Sequence, residues 1–132
     1  MSNSPIRKIQ ADNLPKPVGP YSPAIAFDRL VFVSGQSGRD PVTGLTAEGV
    51  EAQTEQTLRN IETILKAAGT DLQHVLRCGV FLMDMTEFPK MNAVYERMFA
   101  GHKPARTTVQ VTGLPGDNLL VEIDCIAAIP VD

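Results

Sequence analysis

The sequence predicts an α+β domain in which two amphipathic helices cover one face of a mixed six-stranded sheet. Apolar residues recur at three- and four-residue spacing over two long segments, and alternate or run continuously over six short ones. Their order, β-β-β-α-β-α-β-β, sets helices between strands as a two-layer α+β arrangement requires. At 132 residues, 43% of them hydrophobic, the chain suffices for one core, in a single domain spanning 1–132.

Residues 6–10 read as a short edge strand. Pro15, Pro17, Pro20 and Pro23 follow, around Gly19 and Tyr21. Proline has no N–H to give to a ladder, so this stretch is a loop. Residues 24–27 and 30–34 make a hairpin turning at Asp28-Arg29. A loop over 35–44 carries Asp40-Pro41-Val42-Thr43 as a type I turn. Then comes a helix over 47–68, with Thr46 as N-cap and Gly69 at C′. Its stripe is Val50, Thr54, Thr57, Leu58, Ile61, Ile64, Leu65 and Ala68. Residues 75–83 form an apolar strand. Thr86 caps a second helix, whose buried stripe is Phe88, Met91, Tyr95, Met98 and Phe99 and which Gly101 ends.

The last two strands, within 103–111 and 119–125, are joined through a Pro115-Gly116-Asp117-Asn118 turn. Side chains alternate along a strand, so Arg106, Thr108 and Gln110 share one face of the first. On the second, Glu122 and Asp124 lie opposite Leu119, Val121, Ile123 and Cys125. A hairpin with both polar faces turned the same way displays a guanidinium, a hydroxyl and carboxylates together. Such a surface suits a small anion attacked by water. A turn centred near Gly116 sets Glu122 opposite Gln110 and Arg106 opposite Ile126, which separates the two charges by roughly 13 Å. That spacing is too long for a direct ion pair and leaves room for a small ligand or a neighbouring subunit.

Leu30-Val31-Phe32-Val33 and Val80-Phe81-Leu82-Met83 are apolar on both faces, whereas two helices cover only one. The second face is therefore expected to be buried by subunit association.

Composition narrows the function. The net charge of −3 and pI near 5.3 argue against a nucleic-acid footprint. The densest basic cluster, His102, Lys103 and Arg106, matches one small anion but not a phosphate backbone. No apolar run is long enough to span a bilayer, and Met1-Ser2-Asn3-Ser4-Pro5 lacks the features of a signal peptide. Cys78 and Cys125 sit in apolar runs outside any CxxC spacing and read as reduced core thiols, so a cytoplasmic location is expected. His74 and His102 are isolated, without ligand spacing, and there is no GxGxxG, P-loop or GxSxG. Neither metal nor cofactor is expected.

Each candidate residue has a chemical and a plain reading. The planar fork of Arg106 matches a carboxylate, though a surface salt bridge uses the same residue type. Buried by a partner, Glu122 would have a raised pKa and exchange protons with water; its plain role is a counter-ion for Arg106. Gly35, within Ser34-Gly35-Gln36, lets a ligand approach a backbone N–H, or simply ends a strand. Tyr21 is an aromatic lid or a loop anchor. Asn92 is polar lining or an exposed helix residue.

The pieces Gly19-Pro20-Tyr21, Ser34-Gly35-Gln36, Asp40-Pro41-Val42-Thr43-Gly44, Thr57-Leu58-Arg59-Asn60-Ile61, Asn92-Ala93-Val94-Tyr95, Pro104-Ala105-Arg106 and Val121-Glu122-Ile123 together resemble the Rid, or YjgF-type, family of reactive enamine/imine deaminases. They span nearly the whole chain in the family's order. The resemblance implies a chorismate-mutase-like fold assembled as a homotrimer, with sites between subunits. It implies cofactor-free hydrolysis of 2-aminoacrylate, 2-iminopropionate and related acids to 2-keto acids and ammonia. Carried over by motif, Arg106 would hold the substrate carboxylate and Glu122 the attacking water. Tyr21, Ser34, Gly35, Asn92 and Thr108 would line the pocket. Thr108 stands where many deaminase members have Cys. The loop before Pro104 is shorter than in some members, and the Gly116-Asp117-Asn118 stretch is one residue longer. Some relatives are described as endoribonucleases or translation inhibitors, and a small-metabolite-binding regulator is a further alternative.

Overall fold

The computed structural model describes residues 5–131. Six strands and two helices follow the predicted order: β1 (Ile6–Lys8), β2 (Ala24–Phe27), β3 (Leu30–Ser37), α1 (Val50–Ala67), β4 (Val75–Leu82), α2 (Phe88–Phe99), β5 (Ala105–Gln110) and β6 (Val121–Ala128). They form one sheet in the order β1-β2-β3-β6-β4-β5. Every pairing is antiparallel except β4 with β5, which run parallel across α2. Both helices pack on the same face of the sheet.

The core follows from alternation on the strands and the stripe on each helix. Val31, Val33, Cys78, Val80, Leu82, Val121, Ile123, Cys125 and Ala127 point to the helices and are buried. Every predicted stripe residue of α1 is buried against them, as are Met91, Tyr95 and Phe99 of α2. Gly69 closes α1 in the left-handed conformation, φ 88°. Its N–H donates to the Lys66 carbonyl while that of Thr70 donates to Leu65, the paired closure of a Schellman motif.

Four expectations are corrected. The first helix begins at Val50, not at 47, and its N-cap is Gly49, not Thr46. Thr46 bridges to Arg39, and the Ala47 N–H donates to the Gly38 carbonyl, so these residues close the 39–46 loop. Nor does Thr86 cap α2, whose N-cap is Glu87. The Thr86 N–H instead donates to the Asp84 carboxylate, which opens a single tight turn just before the helix. The last two strands are not a hairpin: β6 inserts between β3 and β4, leaving β5 at the sheet edge. The reason is burial. Ile126 and Ala128 alternate with Val121, Ile123, Cys125 and Ala127, which suits β6 to a central position, whereas β5 carries Arg106, Thr107, Thr108 and Gln110. Finally, the polar residues of the two strands do not share a face: Arg106 points to the helix side, and Glu122 and Asp124 to the opposite side.

That opposite side of the sheet is strongly apolar. Phe27, Leu30 and Phe32 remain 47%, 37% and 42% exposed. No helix of the described residues is long and apolar enough to cross a membrane.

Candidate active site

The sequence-predicted residues fall into two groups on the two sides of the sheet. The first group centres on Glu122. β3 carries a bulge between Val33 and Gln36, where three steps along β3 match two along β6. Ser34 and Gly35 thereby leave the ladder, and the Glu122 side chain lies directly over Gly35. A Cβ on residue 35 would collide with the Glu122 carboxylate, so only glycine leaves room for it there. Ser34 donates its hydroxyl to the Ser22 carbonyl at 2.7 Å and its N–H to the Pro23 carbonyl at 3.0 Å, tying the proline-rich loop to the bulge. The Tyr21 hydroxyl accepts the Val18 N–H at 3.2 Å, fixing that loop on itself. Tyr21, Ser34, Gly35 and Glu122 line one open cleft of about 890 Å³.

Burial holds the Glu122 carboxyl above its ordinary range, and the nearby Asp124 charge adds to the effect. Asp124 itself accepts the Gly79 N–H at 3.0 Å. The approach to β6 is held by Gln53, a residue that no motif singles out. Only 2% exposed, it donates to the Ala47 and Asn118 carbonyls and accepts the Leu120 N–H at 2.8 Å. Those bonds pin α1 to the segment that enters β6 just before Glu122. A glutamine at a helical spacing shared with Val50, Thr54 and Thr57 was the available signal.

The second group centres on Arg106, at the β5 edge. Its guanidinium carbon lies 4.8 Å from the Tyr95 ring centroid and 5.5 Å from that of Phe88, both on α2. Among the described residues no carboxylate lies within ion-pair distance of it. Asn92, Tyr95, Pro104 and Arg106 line a second hollow of about 420 Å³. Thr108, two residues along β5, points the same way. The Asn92 Oδ1 and Thr108 Oγ1 are buried without a hydrogen-bond partner among the described residues, and the buried Tyr95 hydroxyl faces the Cys78 thiol. Tyr95 and Phe88 were read from the sequence as core; their position under a guanidinium is a tertiary fact.

The two groups do not meet within one chain. Arg106 is level with Cys78 on β4, and Glu122 with Phe81. Three residues along and two strands across separate their Cα atoms by roughly 14 Å, and their side chains leave opposite faces of the sheet. Among the described residues, one half presents a cation without a counter-ion, and the other a partly buried carboxyl whose pKa is raised. Cys78 and Cys125 face each other on the helix side, free and buried. Desolvation pushes the Cys78 thiol up to about 11, and that of Cys125 higher still, so neither is a ready nucleophile. Among the described residues no cluster of His, Cys, Asp and Glu is arranged to hold a metal.

Comparison with known proteins places this geometry among relatives. A family profile described as Endoribonuclease L-PSP matches residues 11–129. A RutC family protein of Pyrococcus horikoshii is 48% identical over 120 residues, covering 90% of this chain and 94% of its own. The 2-iminobutanoate/2-iminopropanoate deaminase of Mus musculus is 43% identical over 127 residues, covering 95% and 93%. Among solved structures, Escherichia coli TdcF with bound serine superposes with a TM-score of 0.88 at 33% identity, covering 92% of this chain and 98% of its own.

Proposed function

This chain belongs to the Rid (YjgF-type) family, and from that premise we propose that it is a hydrolytic deaminase of small 2-enamine and 2-imine acids. The observation that carries the proposal is the division of the site. A guanidinium without a counter-ion among the described residues and a partly buried carboxyl of raised pKa stand on opposite faces of one sheet, and the Glu122 side is an exposed apolar surface. We take three copies to pack through that surface, with the Arg106 half of one subunit meeting the Glu122 half of the next. The homotrimer is thus part of the proposal, with each site shared between two subunits.

In this reading Arg106 binds the substrate carboxylate through its planar fork, orienting the imine carbon towards Glu122. Glu122 holds a water and accepts its proton as the new C–O bond forms. The same carboxyl returns that proton to nitrogen in the resulting carbinolamine. The C–N bond then breaks as Glu122 carries the hydroxyl proton to the departing nitrogen, and a 2-keto acid and ammonia leave. Burial, with the Asp124 charge beside it, raises the Glu122 pKa, which favours return of the proton it accepts. Gly35 lets the carboxyl approach the bulge, while Tyr21 and Ser34 shape the loop beside it. Asn92 and Thr108 supply polar lining next to Arg106. The deaminase name of the mouse relative and the serine bound to TdcF support a small amino-acid-like ligand.

The test is ammonia release from freshly generated 2-iminopropionate, measured against buffer alone. Acceleration that saturates with substrate is the expected result. Ligand binding without ammonia release would instead mark a metabolite-binding regulator. RNA cleavage without deamination would favour the nuclease description, to which an acidic chain with pI near 5.3 is poorly matched.

A further inference from the structure

We propose that Tyr95, with Phe88 beside it, is a positioning residue for Arg106: an aromatic platform that fixes the guanidinium while leaving its donor edge open to a carboxylate. The inference rests on the deaminase reading and names residues of α2 that this reading does not require.

Arg106 occupies an edge strand, where a long side chain has many rotamers and only one flank of neighbours. A counter-ion would order it but would also occupy the fork that a substrate carboxylate needs. The ring faces of Tyr95 and Phe88 offer the other solution. A guanidinium stacked on a ring is held through its flat face by cation–π attraction, so its in-plane N–H groups remain free. Centroid distances of 4.8 and 5.5 Å put both rings within range. The platform is itself rigid. Tyr95 is 8% exposed, packs at 4.6 Å against the Phe99 ring, and sits on the helix face that covers the sheet. Its hydroxyl is buried beside the Cys78 thiol, at most a weak hydrogen-bond partner. The ring, not the hydroxyl, is the part of Tyr95 that meets the guanidinium.

The experiment compares Tyr95→Leu, Tyr95→Phe and Phe88→Leu with wild type, using binding of pyruvate by calorimetry and steady-state kinetics on 2-iminopropionate. Folding and assembly are checked by thermal melting and light scattering. Losing the Tyr95 ring is expected to weaken pyruvate binding about 2- to 30-fold, the range of a cation–π contact. KM should rise in parallel with kcat nearly unchanged, because the carboxylate is held alike in ground and transition states. Tyr95→Phe, which restores the ring, should restore affinity. Phe88→Leu, at a less buried position, should show a smaller loss of the same kind and decides the matter if Tyr95→Leu does not fold. Unchanged affinity in folded ring-deleted variants would overturn the platform. So would a fall in kcat at constant KM, the mark of a packing role. Arg106→Lys separates the two layers of inference. If it leaves pyruvate binding intact, the clamp itself fails. If it weakens binding while Tyr95→Leu and Phe88→Leu do not, only the platform fails.

Discussion

Gly35→Ala tests the placement of Glu122 more sharply than any change to Glu122 itself. Gly35 does not occupy the left-handed backbone region, so alanine meets no conformational strain there. Its Cβ would stand 2.9 Å from the Glu122 Cδ and 3.2 Å from Cγ, and would overlap the carboxylate oxygen Oε1. Carbon atoms pack at about 3.5–4.0 Å, so Cδ has to retreat by roughly 0.6–1.1 Å and Oε1 further. β6 is hydrogen-bonded on both sides by β3 and β4, so the movement falls on the side-chain torsions of Glu122. A rotamer shift of that kind costs about 0.5–1.5 kcal/mol, small enough for the fold to survive. The kinetic cost is larger, because misplacing a reacting group by about 1 Å can lower a rate on the order of 10²-fold. Keto-acid formation from 2-iminopropionate should therefore fall about 100-fold, while pyruvate affinity, held by Arg106, changes little. Thermal melting and light scattering confirm that the protein measured is intact. Turnover indistinguishable from wild type in a folded assembly would refute the role assigned to the Gly35–Glu122 contact.

Glu122→Gln should lower turnover about 10²–10⁴-fold, since the amide cannot accept the proton. The same variant carries a stability signature. Burial first and Asp124 second raise the folded-state pKa of Glu122 above its ordinary 4.5. The folded chain thus binds that proton more tightly, and the associated stability is full below about 4.5 and lost as pH rises through the folded pKa. The melting temperature of Glu122→Gln relative to wild type should climb over that window; parallel curves would contradict the assignment. Thr108→Val should keep substantial activity and at least wild-type stability, because it removes a buried hydroxyl without a partner among the described residues. Complete inactivation of the folded variant, or a covalent adduct on Thr108 by mass spectrometry, would make that hydroxyl a nucleophile. Light scattering should give three times the 14.3 kDa chain mass, and a clean monomer at micromolar concentration would remove the shared site.

Local periodicity and turn chemistry determined a good deal. The α1 stripe from Val50 to Ala68, the closure at Gly69, the Asp28-Arg29 turn and the order of the elements are short-range properties, so they were legible from the sequence. So was the doubly apolar character of β3 and β4, which by itself implies a sheet face that two helices leave uncovered. Motif resemblance identified Arg106, Gly35 and Glu122 as candidates. Tertiary structure alone decided how they are arranged. Strand parity says which side chains of one strand share a face, but not which way neighbouring strands turn or whether consecutive strands pair. The insertion of β6 between β3 and β4 reversed the expected common face of Arg106 and Glu122, because burying the more apolar strand outweighed making the shorter connection. The same long-range packing set Tyr95 and Phe88 beneath a guanidinium and Gln53 against the segment that enters β6. Periodicity marks the two aromatics only as core. A contact between residues of different elements is fixed by the assembled layers, and no local pattern in the chain specifies it.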